Sequence, residues 1–356
     1  MLKSIHLQNF RSYKKADFNF SDKSTLVVGP NTIGKSNLLE AIFLISIGKS
    51  FRTDKDFQML SLGKEVGRVS ALVDDLRLEV VVTNGDVGGV KTQYKKFLVN
   101  GVAKKRVDFA GNLLSVLFSP SDLDIIVDSP SLRRNFLDNV LEQVDRNYRI
   151  ASIAFSKALR QRNALLELVK DTGFKNEKQF EYWDNLVIQN GQIITQKRQE
   201  FIDFVNNTQK DIFEFIISYD KSTISRDRLN QYKVEEQAAG VTLVGPHRDD
   251  FSVLMKIKKD TNDVKYFGSR GQQRLAILQL KALEILFIEK IMGKRPLLLL
   301  DDIFSELDSV HINLVLDQVG KQQTIITTTH KEFVAKSFLK NMEVIELENG
   351  KKNFLV

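Results

Sequence analysis

The chain has 356 residues and no cysteine. That absence excludes disulfides and cysteine-ligated zinc, and it fits a reducing compartment. The opening stretch, MLKSIHLQNFRSYKKADFNF, lacks the apolar run of a secretory signal. The longest apolar run, PLLLL before Asp301, is far too short to span a bilayer. The expected setting is the cytoplasm, with no membrane partner. No internal repeat, low-complexity tract or sustained heptad pattern is visible, so a long coiled coil is excluded. Neither sign of charge is scarce: Lys plus Arg number 52 against 45 Asp plus Glu. That excess suits a polyanionic partner and equally an ordinary basic soluble protein.

What is present changes character along the chain. SIHLQNF and ADFNF alternate like half-buried strands, and STLVVG runs apolar like a buried one. LRLEVVVTNGDVGGVKTQYKKFLVNGVAKK carries strand-like pieces around NGDVGG and NG, both hairpin signals. From Ser119 to Arg228 aromatic and charged residues recur at helical spacing. LRRNFLDNVLEQV, AFSKALRQRNALLELV and the stretch from FEYWDNLV to KDIFEFI are examples. Strand character returns in GVTLVG and DFSVLMKIKK. A long helix, QQRLAILQLKALEILFIEKIM, then precedes the buried strands PLLLL and TIITTT. The expected class is α/β, with mixed sheets and a helical lobe. Residues 1–118 and 292–356 are expected to form a discontinuous core, and 119–291 a second, mainly helical lobe.

Gly29-Pro30-Asn31-Thr32-Ile33-Gly34-Lys35-Ser36 matches G-x-x-x-x-G-K-[ST] in full. A strand enters it and a helix leaves it, as a phosphate cradle requires. Gly29 and Gly34 are expected to permit backbone angles at which successive N–H groups converge on an anion. The following helix adds the positive end of its dipole. Lys35 is placed to reach β- and γ-phosphates, and the Ser36 hydroxyl to hold Mg²⁺.

PLLLLDD supplies a second element, a buried strand ending in Asp301 and Asp302. Adjacent carboxylates there are costly unless a cation or water compensates them. Ligand sites of α/β sheets lie at that end of the strands. Asp301 is expected to coordinate Mg²⁺, directly or through water on Ser36. Asp302 is expected to orient or deprotonate an attacking water. The cofactors expected are thus ATP and Mg²⁺.

In FGSRGQQRLAIL, Ser269 reads as an N-cap, followed by Arg270, Gly271, Gln272 and a long amphipathic helix. Alone, that is a good helix start and nothing more. The order of cradle, insertion, S-x-G-Q helix and acidic strand resembles the ABC-type ATPases, a P-loop NTPase head in which this motif is the signature. The resemblance implies that the helix N-terminus and the Ser269 hydroxyl grip the γ-phosphate held by a second copy. ATP then joins two heads, and hydrolysis separates them. It further implies a D-loop at Ser305, Glu306, Leu307 and Asp308, and a switch histidine at His330. One family piece is missing: LLSVLFSPSDL has Ser119-Pro120-Ser121-Asp122 where those ATPases carry a glutamine. Asp302 also stands where most of them have glutamate, one methylene longer, so slow hydrolysis is expected.

Residues outside these motifs narrow the resemblance. LQNFRSYKKADF, GKSFRTDKD, VLFSPSDLDIIVDSPSLRRNFLD, ALRQRNALL, TLVGPHRDDF and LLLLDDIFSELD together resemble the RecF family of bacterial recombination mediators. The resemblance implies an ATP-dependent homodimer that binds duplex DNA and gap junctions. It also implies cooperation with RecR and RecO in loading RecA. The insertion is too short for a long arm, because a helix rises only about 1.5 Å per residue. Basic clusters at Lys104-Lys105-Arg106 and Arg133-Arg134 could meet phosphates without sequence choice. Aromatic interleaving is poor, and no helix-turn-helix is evident. In GPHRDDF, Arg248 is expected to pair with Asp249 or Asp250. A transporter motor subunit and a nucleotide-gated scaffold with negligible hydrolysis are the alternatives.

Overall fold

The structure is a computed structural model that describes residues 1–173, 176–257, 260–303, 321–333, 339 and 342–348. The chain divides into two compact units, Met1–Asp122 with Glu284–Val356, and Leu123–Leu283.

The first unit opens with strands β1 (Leu2–Phe10), β2 (Tyr13–Asn19) and β3 (Ser24–Val28), then helix α1 (Lys35–Ile47). β4 (Val66–Val73), β5 (Leu76–Thr83), the short pair β6 (Asp86–Val87) and β7 (Val90–Lys91), β8 (Lys95–Val99) and β9 (Val102–Lys104) follow. A single helical turn, α2 (Arg106–Phe109), leads to β10 (Ser115–Phe118). Six strands form a sheet in the order β2-β1-β4-β5-β8-β9, antiparallel throughout. Alternation decides its faces: Tyr13, Ala16 and Phe18 of β2 are buried while Lys14, Lys15 and Asp17 between them are exposed. Both hairpin signals are turns, NGDVGG at β6–β7 and Asn100-Gly101 between β8 and β9. α1 is apolar on every side and almost wholly buried, as a helix enclosed in a core must be. Its one acid, Glu40, is fully buried and is held by the Arg11 guanidinium at 2.8 and 2.5 Å and by the Ser50 hydroxyl at 2.5 Å. That bidentate pair ties the β1–β2 turn to the helix.

The second unit comprises α3 (Asp124–Val127), α4 (Pro130–Val144), α5 (Arg146–Thr172), α6 (Glu177–Asn207), β11 (Ile216–Asp220), α7 (Arg226–Gln231) and α8 (Lys233–Ala239). It continues through β12 (Asp250–Ile257), β13 (Asp260–Asp263), α9 (Val264–Phe267) and the start of α10 (Arg270–Met292). The division between units runs through α10. α5 and α6 form a helical hairpin of 27 and 31 residues, about 40 and 46 Å at the usual helical rise. Two sequence expectations need correcting. IISYD within the helical stretch is a strand, because it pairs antiparallel with β12. GVTLVG is not a strand: the backbone of its buried Thr242 is taken by side chains instead of a sheet partner, the N–H by Asn163 at 2.9 Å and the carbonyl by Arg248 at 3.3 Å.

GPHRDDF is also wired differently from the local reading. Arg248 donates to the Thr242 carbonyl at 3.3 Å. The two aspartates are taken by distant arginines: Asp249 by Arg198 at 3.0 Å and Asp250 by Arg133 at 2.6 Å. His247 sits within this loop with Nε2 3.0 Å from the Thr242 carbonyl and its ring against Phe155. Burial pushes its pKa down to about 4, with Arg248 and Arg134 acting the same way and Asp249 and the Thr242 hydrogen bond opposing. The folded imidazole therefore stays neutral where the unfolded one protonates. Acidification from pH 6.5 towards 4 should cost stability, about 2 kcal/mol by pH 5. Urea midpoints at pH 7.5 and 5 should differ less for His247→Gln than for wild type; equal losses would refute the assignment.

The chain then returns to the first unit with β14 (Leu297–Asp301), β15 (Thr324–Thr328) and β16 (Met342–Glu346). These complete a parallel sheet in the order β10-β14-β15-β3-β16. β3, β14 and β15 are buried at every residue, the pattern of a parallel sheet covered on both faces. Gln323 links the two sheets: its amide accepts from the Leu2 N–H at 2.9 Å and donates to the Leu2 and Ser21 carbonyls at 2.7 and 2.9 Å. Among the described residues no helix is long and apolar enough to cross a membrane.

Candidate phosphate-binding site

β3 runs into Gly29, whose N–H donates to the Thr328 carbonyl at 3.2 Å. The two glycines of the cradle serve different ends. Gly34 has φ 118 and caps α1, and the Tyr13 hydroxyl donates to its carbonyl at 3.0 Å. Gly29 is not in the left-handed region, contrary to the expectation of a special angle. Its need is space, since a Cβ there would lie 2.9 Å from the Leu347 carbonyl oxygen. Thr32 between them adopts φ 70, a conformation uncommon outside glycine. Such strain costs about 1 kcal/mol or more and gathers at functional loops.

Lys35 is buried, and its ammonium donates to the Gly29 and Pro30 carbonyls at 2.8 and 3.1 Å. Burial lowers its pKa, while Asp302 and Asp301 pull it back up. A phosphate oxygen would be a stronger acceptor than either carbonyl.

The acidic edge comes from β14. The Ser36 hydroxyl donates to Asp301 Oδ1 at 3.0 Å, and the Thr327 hydroxyl donates to the same oxygen at 2.8 Å. Burial raises the Asp301 pKa, Asp302 adds to this, and the two hydroxyls and Arg52 oppose it. Asp302 has φ 48, and its N–H donates to both the carbonyl and the hydroxyl of Thr327 at 3.1 Å. Thr327 was not singled out in the sequence; the only signal was TTT just before His330. His330 is exposed just past β15, its carbonyl accepting from the Thr328 hydroxyl at 3.2 Å. Register explains the gathering: Asp301 opposes Thr327, and Thr328 opposes Val28. Three adjacent strands thus bring Gly29, Ser36, Asp301, Asp302 and His330 to one carboxyl edge of the sheet.

The donor set fits a hard divalent cation. A hydroxyl and a buried carboxylate converge, and Mg²⁺ needs few protein ligands when phosphates and water supply the rest. Bringing a cation to Asp301 would also offset the desolvation that raises its pKa. β10 adds a further turn at this edge, because Phe118 opposes Leu300. There the Ser119 N–H donates to Asp122 Oδ2 at 2.6 Å, and the Ser119 and Ser121 hydroxyls are 3.0 Å apart.

The S-x-G-Q segment lies in the second unit. Ser269 and Gln272 form a reciprocal capping box: the Gln272 N–H donates to Ser269 Oγ at 3.3 Å, and the Ser269 N–H to Gln272 Oε1 at 2.9 Å. Ser269, Arg270 and Gly271 are exposed. Gln273 anchors the same turn from below, donating to the Val264 and Lys265 carbonyls at 3.3 and 3.2 Å. Ser305, Glu306, Leu307 and Asp308 lie outside the described residues.

The basic clusters separate into two kinds. Lys104 and Lys105 are exposed at the edge strand β9. Arg106 turns inward and donates to the Ile47 carbonyl at 3.2 Å, at the end of α1. Arg133 and Arg134, expected to face DNA, are structural. Arg133 is only 7 % exposed, is bound bidentately to Asp250, and donates to the Ile125 and Asp128 carbonyls. Arg134 donates to the Asp249 carbonyl at 2.8 Å, and burial lowers its pKa. The Asp250 carboxylate holds one guanidinium and the Asp249 backbone carbonyl the other.

Comparison with known proteins agrees with this architecture. The profile of the RecF/RecN/SMC N-terminal domain family matches residues 1–353. The DNA replication and repair protein RecF of an Exiguobacterium species is 33% identical over 372 residues, covering 98% of each chain. That of Clostridium botulinum is 34% identical, covering 99% of this chain and 98% of its own. Among solved structures, the recombination mediator RecF with ATPrS superposes with a TM-score of 0.82 at 31% identity, covering 94% of both chains. RecF with ATP superposes at 0.83, also at 31% identity, covering 94% of this chain and 93% of that one. With the cradle, the acidic strand and the fold all in agreement, the chain belongs to the RecF/RecN/SMC N-terminal domain family, and within it to the RecF proteins.

Proposed function

We propose that this protein is an ATP-dependent, DNA-binding recombination mediator that works as a nucleotide-joined homodimer at single-strand gaps in duplex DNA. The observation that carries the reading is the convergence of Lys35, Ser36, Asp301 and Asp302 at one sheet edge, beside a glycine cradle. Lys35 exchanges its loop carbonyls for phosphate oxygens. Ser36 and Asp301 would hold Mg²⁺, which neutralises charge on the transferring phosphoryl group. Asp302, held by two bonds from its N–H to Thr327, orients the attacking water and accepts its proton. Its short side chain makes it a distant base, so hydrolysis is slow and the dimer long-lived. Ser269, Arg270, Gly271 and Gln272 grip the nucleotide of the second copy, and His330 contacts its own γ-phosphate. Lys104 and Lys105 contribute to a sequence-independent phosphate contact. RecO and RecR assist it in loading RecA, and the compartment is the cytoplasm.

The RecF relatives match along nearly their whole length, which favours the mediator over a transporter motor. Light scattering with and without Mg-ATP, repeated with a short gapped duplex, tests the reading. Mass should double with nucleotide at micromolar protein. Ser269→Arg should bind nucleotide as a monomer and fail to pair. A wild type that stays single at saturating Mg-ATP, or a Ser269→Arg variant that pairs normally, would overturn it.

A further inference from the structure

The Gly34 carbonyl accepts two hydrogen bonds, from the Leu38 N–H at 3.0 Å and from the Tyr13 hydroxyl at 3.0 Å. The first opens α1. The second comes from another element, the start of β2, and helix formation does not need it. Gly34, at φ 118 and without a Cβ, is a point of the cradle where the backbone is free to leave its angle. Its carbonyl and the Lys35 N–H belong to one planar trans peptide, so the two point in opposite directions. Holding the oxygen against Tyr13 therefore turns the Lys35 N–H towards the open end of α1, where the first-turn donors have no intrahelical acceptor. Rotation of this peptide would instead present a carbonyl oxygen to an anion.

The phenol has little room to move. Tyr13 is 4 % exposed, and its ring meets Phe18 edge to face at 5.8 Å. Burial raises its pKa, so the hydroxyl remains a protonated donor. A Cβ on Gly34 would lie 3.0 Å from that hydroxyl. The turn that carries Tyr13 is braced from several sides. The Arg11 N–H donates to the Met59 carbonyl at 2.8 Å, and the Ser61 hydroxyl to the Arg11 and Tyr13 carbonyls at 2.8 and 3.3 Å. The Asn37 amide, on α1, donates to Ser12 Oγ at 3.0 Å. Arg11 itself stands at φ 50, and strain of that kind gathers at functional sites.

We propose that Tyr13 is a positioning residue for nucleotide binding: its hydroxyl fixes the Gly34–Lys35 peptide so that the Lys35 N–H faces the nucleotide's phosphates. The inference rests on the nucleotide-binding reading above and adds a side chain, from outside the cradle sequence, that sets the cradle's shape. The hydroxyl acts through the backbone and serves bound and reacting phosphate alike. It therefore contributes to affinity and not to the chemical step.

Tyr13→Phe keeps the ring and removes only the hydroxyl. ADP, which lacks the phosphate read as joining two copies, is the first probe. Its calorimetric dissociation constant should rise about fivefold, the worth of one neutral hydrogen bond, with the number of sites per chain unchanged. In steady-state ATP hydrolysis KM should rise by a similar factor while kcat stays within about twofold of wild type. The urea midpoint without nucleotide should hardly move, because the Leu38 N–H still satisfies the Gly34 carbonyl. Equal ADP affinities in variant and wild type would overturn the inference and leave the mediator reading standing. So would a fall in kcat at unchanged KM with a lowered urea midpoint, the mark of fewer folded molecules and of a residue that serves the fold alone. A wild type that binds neither ADP nor ATP would remove both.

Discussion

Lys35→Met should reduce ATP turnover by at least about a hundredfold, the scale on which removing one transition-state donor acts, and should abolish nucleotide-dependent pairing. The ammonium is the only side-chain cation of the cradle sequence, and it already lies within the loop, bonded to the Gly29 and Pro30 carbonyls. Methionine has nearly the same length and flexibility, so the loop keeps its packing. Burial is what lowers the lysine's pKa, so the charge is held at a cost to the folded state. Thermal stability without nucleotide should therefore be equal or slightly higher in the variant. Phosphate release, light scattering and a melting curve on one preparation check all three statements. A variant that still turns over at a tenth of the wild-type rate would show that Lys35 does not bear on the reacting phosphate. A large fall in stability would show that the lysine serves the fold.

Asp249→Ala should destabilise the second unit by about 3–5 kcal/mol, the usual cost of leaving one member of a buried ion pair alone. Asp249 is fully buried and accepts from Arg198 at 3.0 Å, from the Tyr219 hydroxyl at 2.5 Å and from the Ser222 N–H at 2.8 Å. Arg198 is bound on its other side by Asp138 at 2.7 Å, and Tyr148 donates to that same carboxylate. Burial and the nearby carboxylates push the Tyr148 and Tyr219 pKa values up, so both phenols stay protonated donors. Removing Asp249 leaves Arg198 with Asp138 as its one carboxylate and takes the acceptor from the Tyr219 hydroxyl and the Ser222 N–H. Urea unfolding should show the loss, and Asp249→Asn, which keeps an acceptor for the Tyr219 hydroxyl and the Ser222 N–H, should lose less. A single-variant loss under about 1 kcal/mol would mean that water reaches the cluster.

These two experiments sit at opposite ends of what the residues alone reveal. GPNTIGKS is contiguous, and its chemistry follows from the order of its residues; the strand before it and the helix after it carry clear periodicities. Ser269 read as an N-cap is one, because a cap is a local device. GPHRDDF departs from its local reading for the opposite reason. A local argument pairs Arg248 with its neighbours, whereas the aspartates are claimed by arginines far along the chain, on α4 and α6. The same error placed Arg133 and Arg134 at a DNA surface. Composition and spacing count charges and say nothing of which ones tertiary contacts consume. IISYD is a strand beside a long helical run, and a strand so short has no pattern strong enough to announce its partner.

By itself the amino-acid sequence determined the fold class, the phosphate cradle, the acidic strand end and the capped helix, since each is specified by residues within a turn or two of one another. Only the tertiary structure decided that β15 lies between β14 and β3, which sets Thr327 against Asp301 and aligns the ends of three strands. It alone also decided which arginines are buried. Strand order and burial are properties of contacts between distant segments, and their free energy is settled by the whole core at once.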